Sequence, residues 1–153
     1  MIRTLLTYGD SNTHGTPPII TPGLYARYGP ADRWPTVAAG VLGPGWSLVE
    51  EGLPGRTTGL EDPIMGAHMN GQAGLRMALE SHGPVDVLTI MLGTNDLKTR
   101  FAPSVAKITG GRFALLNSYI GDHQDGMTNA PNCMACIHPP FRWLSSPPTV
   151  NPA

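Results

Sequence analysis

Three short apolar runs, each halted by a glycine and a polar turn, constrain this chain more than any other feature. They are Ile2–Tyr8 before Gly9, Trp46–Glu50 before Glu51-Gly52, and Val85–Leu92 before Gly93. Runs of this length with sharp glycine stops predict buried strands. The third is apolar almost throughout, which suits a strand covered on both faces. Stretches of helical spacing lie between the runs. Arg33–Leu42 sets Trp34, Val37, Ala38, Val41 and Leu42 at that spacing, with Asp32 as the predicted N-cap and Gly43-Pro44-Gly45 as the stop. Asn70 caps a predicted helix over 71–81, which has Leu75, Ala78 and Leu79 on one face and ends at His82-Gly83-Pro84. Strands alternating with helices predict an α/β fold built on a parallel sheet with right-handed crossovers.

Further along, Ser104–Ile120 is weakly helical and carries Gly110-Gly111, a pair expected to weaken it. A polar loop follows, and then Cys133–Ile137, a predicted fourth strand stopped by Pro139-Pro140. The end of the chain holds Pro147, Pro148 and Pro152 without periodicity. The expected organisation is one domain over residues 1–141 and a loose proline-rich tail over 142–153, with loops favoured by 19 glycines and 16 prolines.

Charge narrows the partners. Ten Lys and Arg against eleven Asp and Glu leave a net charge of −1, which gives no electrostatic footprint for nucleic acid or an anionic membrane. No run approaches the ~20 apolar residues that span a bilayer. The first run carries one basic residue and meets Gly9-Asp10-Ser11 at once, leaving no room for the apolar core of a signal peptide. The expected compartment is the cytoplasm. Cys133 and Cys136 are too few and too close for a disulfide framework.

In a parallel α/β sheet, function gathers at the carboxyl ends of the strands. The three runs end in Gly9-Asp10-Ser11-Asn12-Thr13-His14-Gly15, in Gly52-Leu53-Pro54-Gly55-Arg56-Thr57 and in Gly93-Thr94-Asn95-Asp96. Taken singly, each is an ordinary turn or helix cap. Together they offer a reaction. A serine just after a strand, at a helix N-terminus, has an exposed hydroxyl beside free backbone donors. It can attack a carbonyl once a base takes its proton. The N–H of Ser11, the N–H of Gly55 and the amide of Asn95, one from each strand end, could converge on the negative oxygen then formed. A glycine at 55 permits the close backbone approach this requires.

In this order the turns resemble the first three sequence blocks of the GDSL/SGNH hydrolases, and most closely the cytoplasmic arylesterase and acyltransferase branch. Gly9-Asp10-Ser11, Glu50–Thr57 and Leu92–Asp96 carry the resemblance, together with Arg33-Trp34, Lys98, Arg100-Phe101 and the path from Ala130-Pro131 to His138-Pro139-Pro140. It is close over residues 1–101 and loose over 102–141. The resemblance implies a three-layer α/β/α, flavodoxin-like fold. Ser11 falls on the nucleophile; Ser11, Gly55 and Asn95 fall on the oxyanion donors; Asp10 falls on a supporting aspartate that orients the loop. The implied substrate is a small carboxylic ester, cleaved through an acyl-enzyme that transfer to an alcohol would share. No cofactor is implied.

The resemblance also implies an Asp-x-x-His near the C-terminus, and none of the five histidines has an aspartate three residues before it. The sequence therefore leads to an expectation of a scaffold lacking its last strand and helix, with an incomplete triad and weak activity. An uncovered sheet edge would favour self-association, so a homo-oligomer is expected. Three substitute bases are candidates: His138 beyond the fourth strand, His14 one turn past Ser11, and His123 between Asp122 and Asp125 in a predicted loop. Cys133 and Cys136 with His123 and His138 make only half of a zinc pattern, and no metal is expected. The competing readings are a catalytically inactive homologue that binds a ligand or a partner, and a metal or redox module on the two cysteines.

Overall fold

The computed structural model describes residues 1–21, 23–124 and 133–136. The first apolar run forms β1 (Arg3–Gly9), and the other two form β2 (Trp46–Gly52) and β3 (Val87–Met91). A fourth strand, β4, covers Cys133–Cys136. All pairings are parallel and the strand order is β2-β1-β3-β4. Central β1 pairs Leu6 with Val49 on one side and with Leu88 on the other. Its side chains from Leu5 to Tyr8 are buried accordingly.

The helices are α1 (Ser11–His14), α2 (Trp34–Leu42), α3 (Gly71–His82) and α4 (Val105–Gln124). The chain first crosses from β1 outward to β2, then returns past β1 to β3 and on to β4. Right-handed crossovers then put α2 on one face of the sheet and α3 and α4 on the other. Consistent with this, α3 packs on α4 and α2 packs on β2. The direction reverses between β1 and β3, and the crevice at such a reversal is where open α/β sheets hold ligands.

The core lies between the sheet and the α3–α4 layer. Leu6, Tyr8, Leu88 and Ile90 alternate on the strands and meet Leu75, Ala78 and Leu79 of α3 and Leu115 of α4. Truncating a fully buried leucine such as Leu6 to alanine would cost about 2–5 kcal/mol. The Tyr8 hydroxyl donates to the Gly71 carbonyl at 2.7 Å and ties β1 to the start of α3. Asn70 caps that helix as its sequence predicts, its side-chain oxygen accepting from Gln72 N at 3.0 Å.

Several elements depart from expectation for clear reasons. Asp32 does not cap α2; Arg33 holds the cap position without a side-chain bond. Pro35 sits in the first turn and has no N–H to offer a cap. The predicted apolar stripe of α2 is largely uncovered, with Val37, Val41 and Leu42 exposed and Pro35 the buried residue. Helix α4 runs on to Gln124, so His123 lies in its last turn and not in a loop. The Gly110-Gly111 pair does not break it. Gly111 faces Thr58 so closely that a Cβ there would lie 2.1 Å from the threonine hydroxyl. The expected tail, 142–153, lies outside the described residues.

Candidate active site

The site is built from glycines that let one short helix settle on the strand tips. A Cβ on Gly9 would stand 2.0 Å from Thr13 Oγ1, and one on Gly52 would stand 2.3 Å from the backbone nitrogen of His14. With neither side chain present, α1 rests on the ends of β1 and β2. Asp10 is its N-cap: the buried carboxylate accepts from Asn12 N at 2.9 Å and from Asn12 Nδ2 at 3.1 Å. Gly15, in the left-handed region, closes the helix after one turn. Ser11 is therefore the first helical residue. It is partly buried, and its hydroxyl has no hydrogen-bond partner among the described residues.

Hydrogen bonds lace the three strand tips together. Leu53 N donates to the Gly9 carbonyl at 3.0 Å. Arg56 Nη1 donates to the same carbonyl at 3.1 Å and also to the carbonyl of Glu51. The Arg56 carbonyl in turn accepts from Asn95 Nδ2 at 3.0 Å. One residue on, the Asp96 carboxylate accepts from Thr58 N at 3.0 and 3.2 Å and from the Thr58 hydroxyl. Thus Ser11 stands two residues beyond Gly9, Gly55 is the chain neighbour of Arg56, and Asn95 is bonded to Arg56. The amide of Asn95 carries two N–H donors, and this bond uses one of them. Gly55 is buried at φ +95°, a region that disfavours any side chain, with the thioethers of Met65 and Met69 packed against it. Next to Asn95, a groove lined by Thr94, Leu97, Val105 and Ile108 opens to the surface.

Burial dominates the electrostatics. Desolvation raises Asp10 above the ordinary carboxylate range, opposed by its two bonds from Asn12. Desolvation likewise pulls Arg56 below its usual value and pushes the Tyr8 phenol far up. The guanidinium lies 4.1 Å over the Tyr8 ring. Beside the site, the loop after Thr58 is pinned through Asp62, whose side chain has no exposed surface. Arg100 contacts Asp62 at 2.5 Å, and that bond, helped by the Ile64 and Met65 amides, holds the carboxyl down to about 2.

The histidines fall as follows. His14 Nδ1 lies 2.8 Å from Thr16 Oγ1, and Nε2 lies 3.2 Å from the Tyr25 hydroxyl, so both ring nitrogens face hydroxyls other than that of Ser11. Burial, reinforced by Arg27 and Arg33, lowers its pKa. His82 Nε2 lies 3.2 Å from Glu51 Oε1, and His68 is exposed. The His123 side chain and the whole of His138 lie outside the described residues. Among the described residues, no group of three or more His, Cys, Asp and Glu is placed to hold a metal, and no helix is long and apolar enough to cross a membrane.

Sequence reasoning did not anticipate the buried Arg56, the Thr58–Asp96 bond or the Asp62–Arg100 pair. Each joins segments distant in the chain. The only local signal was the presence of Arg56, Lys98 and Arg100 within otherwise sparsely charged turns.

Comparison with known proteins agrees with this architecture. The profile of the GDSL-like lipase/acylhydrolase family matches residues 7–147. A carbohydrate acetylesterase from Sinorhizobium meliloti is 37% identical, with a TM-score of 0.77 over 89% of this chain and 62% of its own. The inhibitor-bound aryl esterase of M. smegmatis is 33% identical, with a TM-score of 0.82 over 90% of this chain and 64% of its own. The chain thus spans less than two thirds of the length of these structures. No curated protein sequence matches it. The scaffold is that of an SGNH-type esterase, and the chain belongs to the GDSL-like lipase/acylhydrolase family.

Proposed function

We propose that this chain acts on small carboxylic esters, with Ser11 as the nucleophile and Ser11 N, Gly55 N and Asn95 Nδ2 as the oxyanion donors. The supporting observation is the lacing of the tips, in which the Arg56 carbonyl takes Asn95 Nδ2 at 3.0 Å while the Arg56 side chain grips Gly9. Ser11 Oγ attacks the ester carbon, the carbonyl π pair moves onto oxygen, and a base takes the serine proton. Donors fixed in place before reaction stabilise the oxyanion, an effect worth about 3–4 kcal/mol for a single donor. Collapse expels the alcohol and leaves an acyl-serine for water, or for a second alcohol, to cleave. Asp10 keeps α1, and with it Ser11, in register by capping it. Acetyl esters of carbohydrates and aryl esters are the substrates to try first, because related scaffolds bear those names. The groove beside Asn95 would take an apolar part of the ester.

One observation favours a second reading. No imidazole among the described residues bonds the Ser11 hydroxyl, and without a base the same donors would bind an ester or acyl ligand without turning it over. Turnover of p-nitrophenyl acetate by the wild type and by Ser11→Ala separates the two. Loss of turnover in the variant supports the hydrolase. Equal rates in both proteins, with measurable ligand binding, support the binder. Self-association belongs to the same proposal and is read by light scattering, a compact monomer counting against it.

A further inference from the structure

Arg56 is a buried cation for which the reaction above has no direct use. Only 6% of its surface is exposed, and among the described residues no carboxylate lies within ion-pair distance. Its partners are the Gly9 and Glu51 carbonyls and the face of Tyr8. Its Nε is buried without a partner. A guanidinium held this way is costly, and an apolar side chain of similar volume would fill the space at lower cost. What an apolar side chain would not supply is the connection. Through its side chain Arg56 holds the tip that carries Ser11. Through the chain it follows Gly55, and through its carbonyl it holds the Asn95 amide.

We propose that Arg56 is the positioning residue of the oxyanion site, the one group that fixes the Ser11, Gly55 and Asn95 donors relative to one another. This rests on the ester-hydrolase reading above. A displacement on the order of 1 Å at such a site costs about 10²-fold in rate, so a small relaxation of the clamp is readable. Both carbonyls are reached from one nitrogen, Nη1. Lysine keeps a charged donor but is shorter and lacks the planar group that lies over the Tyr8 ring, and glutamine loses both charge and reach.

The test uses a p-nitrophenyl alkylphosphonate. Ser11 Oγ bonds to phosphorus, p-nitrophenolate leaves with the bonding pair, the serine proton passes to solvent, and the phosphoryl oxygen occupies the oxyanion position. Labelling rates and the ³¹P resonance of the adduct are compared for the wild type, Arg56→Lys and Arg56→Gln, with circular dichroism reporting folding. The expected result is labelling about 10-fold slower in Arg56→Lys and about 100-fold slower in Arg56→Gln, with a displaced ³¹P resonance in both. Variants that melt earlier yet label at the wild-type rate with an unmoved resonance would make Arg56 merely structural and overturn the proposal. Arg56→Lys keeps a cation in the niche and decides the matter if Arg56→Gln does not fold. An unlabelled wild type would instead overturn the serine chemistry, and this inference with it.

Discussion

Adjacent glycines in one helix should respond to alanine with opposite signs. Gly110 and Gly111 both lie inside α4, so each substitution should gain about 0.5–1 kcal/mol from reduced freedom of the unfolded chain. At Gly110 a Cβ would meet nothing within 4 Å, and the gain stands. At Gly111 it would lie 2.1 Å from Thr58 Oγ1 and 3.0 Å from Thr58 Cβ. Thr58 is 1% exposed, and its N–H and hydroxyl are both engaged with Asp96, so it has nowhere to retreat. Overpacking of this kind costs about 1–3 kcal/mol. A hydrogen bond to a charged group is worth about 1.5–3 kcal/mol if the shift breaks it. Gly111→Ala should therefore destabilise by about 1–2 kcal/mol after its helical gain, a gap of about 1.5–3 kcal/mol from Gly110→Ala. In a domain of this size that separates the melting temperatures by about 3–12 °C. Urea unfolding followed by circular dichroism, with an unchanged slope, gives the free energies directly. Two variants within about 0.5 kcal/mol of each other would refute the contact between α4 and the second strand tip.

Other consequences follow from the same packing. Gly52→Ala should lift α1 off the strand tips, because the new methyl would meet the His14 backbone; a loss of about 1–3 kcal/mol should accompany slower modification of Ser11. Tyr8→Phe leaves the Gly71 carbonyl without its buried donor, and calorimetry should show a loss of about 1–3 kcal/mol. Asp62 titrates near 2 in the folded protein, below its unfolded value of about 3.9, so its contribution to stability is complete above about pH 4 and is lost as pH falls toward 2. Removing its largest cause in Arg100→Met should produce a stability deficit that is greatest above about pH 4 and closes toward pH 2, read by denaturant unfolding across that range.

The strands were legible because each is a short apolar run ended by glycine, and that signal needs no partner. Strands β1 to β3 and helix α3, with its Asn70 cap, lie within a residue or two of where the sequence puts them. Helix α2 was legible as a helix but not as a packed face: helical spacing marks one side of Val37 and Val41, and only the tertiary structure shows that this side is exposed. The last turn of α4, residues 121–124, was hidden because Gly121-Asp122 and the polar residues after it have the composition of a loop. The pair at Gly110-Gly111 was legible only as a weakness in α4. Glycine is a poor helix former in isolation, but here a glycine is what lets the helix approach Thr58. At the site, Ser11, Gly55 and Asn95 could be named from their turns. Arg56 could not be recognised as their common link, because its partners are a carbonyl 47 residues earlier and an amide 39 residues later.

The measurement that tests the account most directly is peptide mass spectrometry after exposure to the alkylphosphonate, with Ser11→Ala alongside. The account predicts one phosphonyl group per chain, carried on the peptide of the β1 tip at Ser11 and absent from the variant. A wild type that takes no label, or a label that survives in Ser11→Ala, would contradict it.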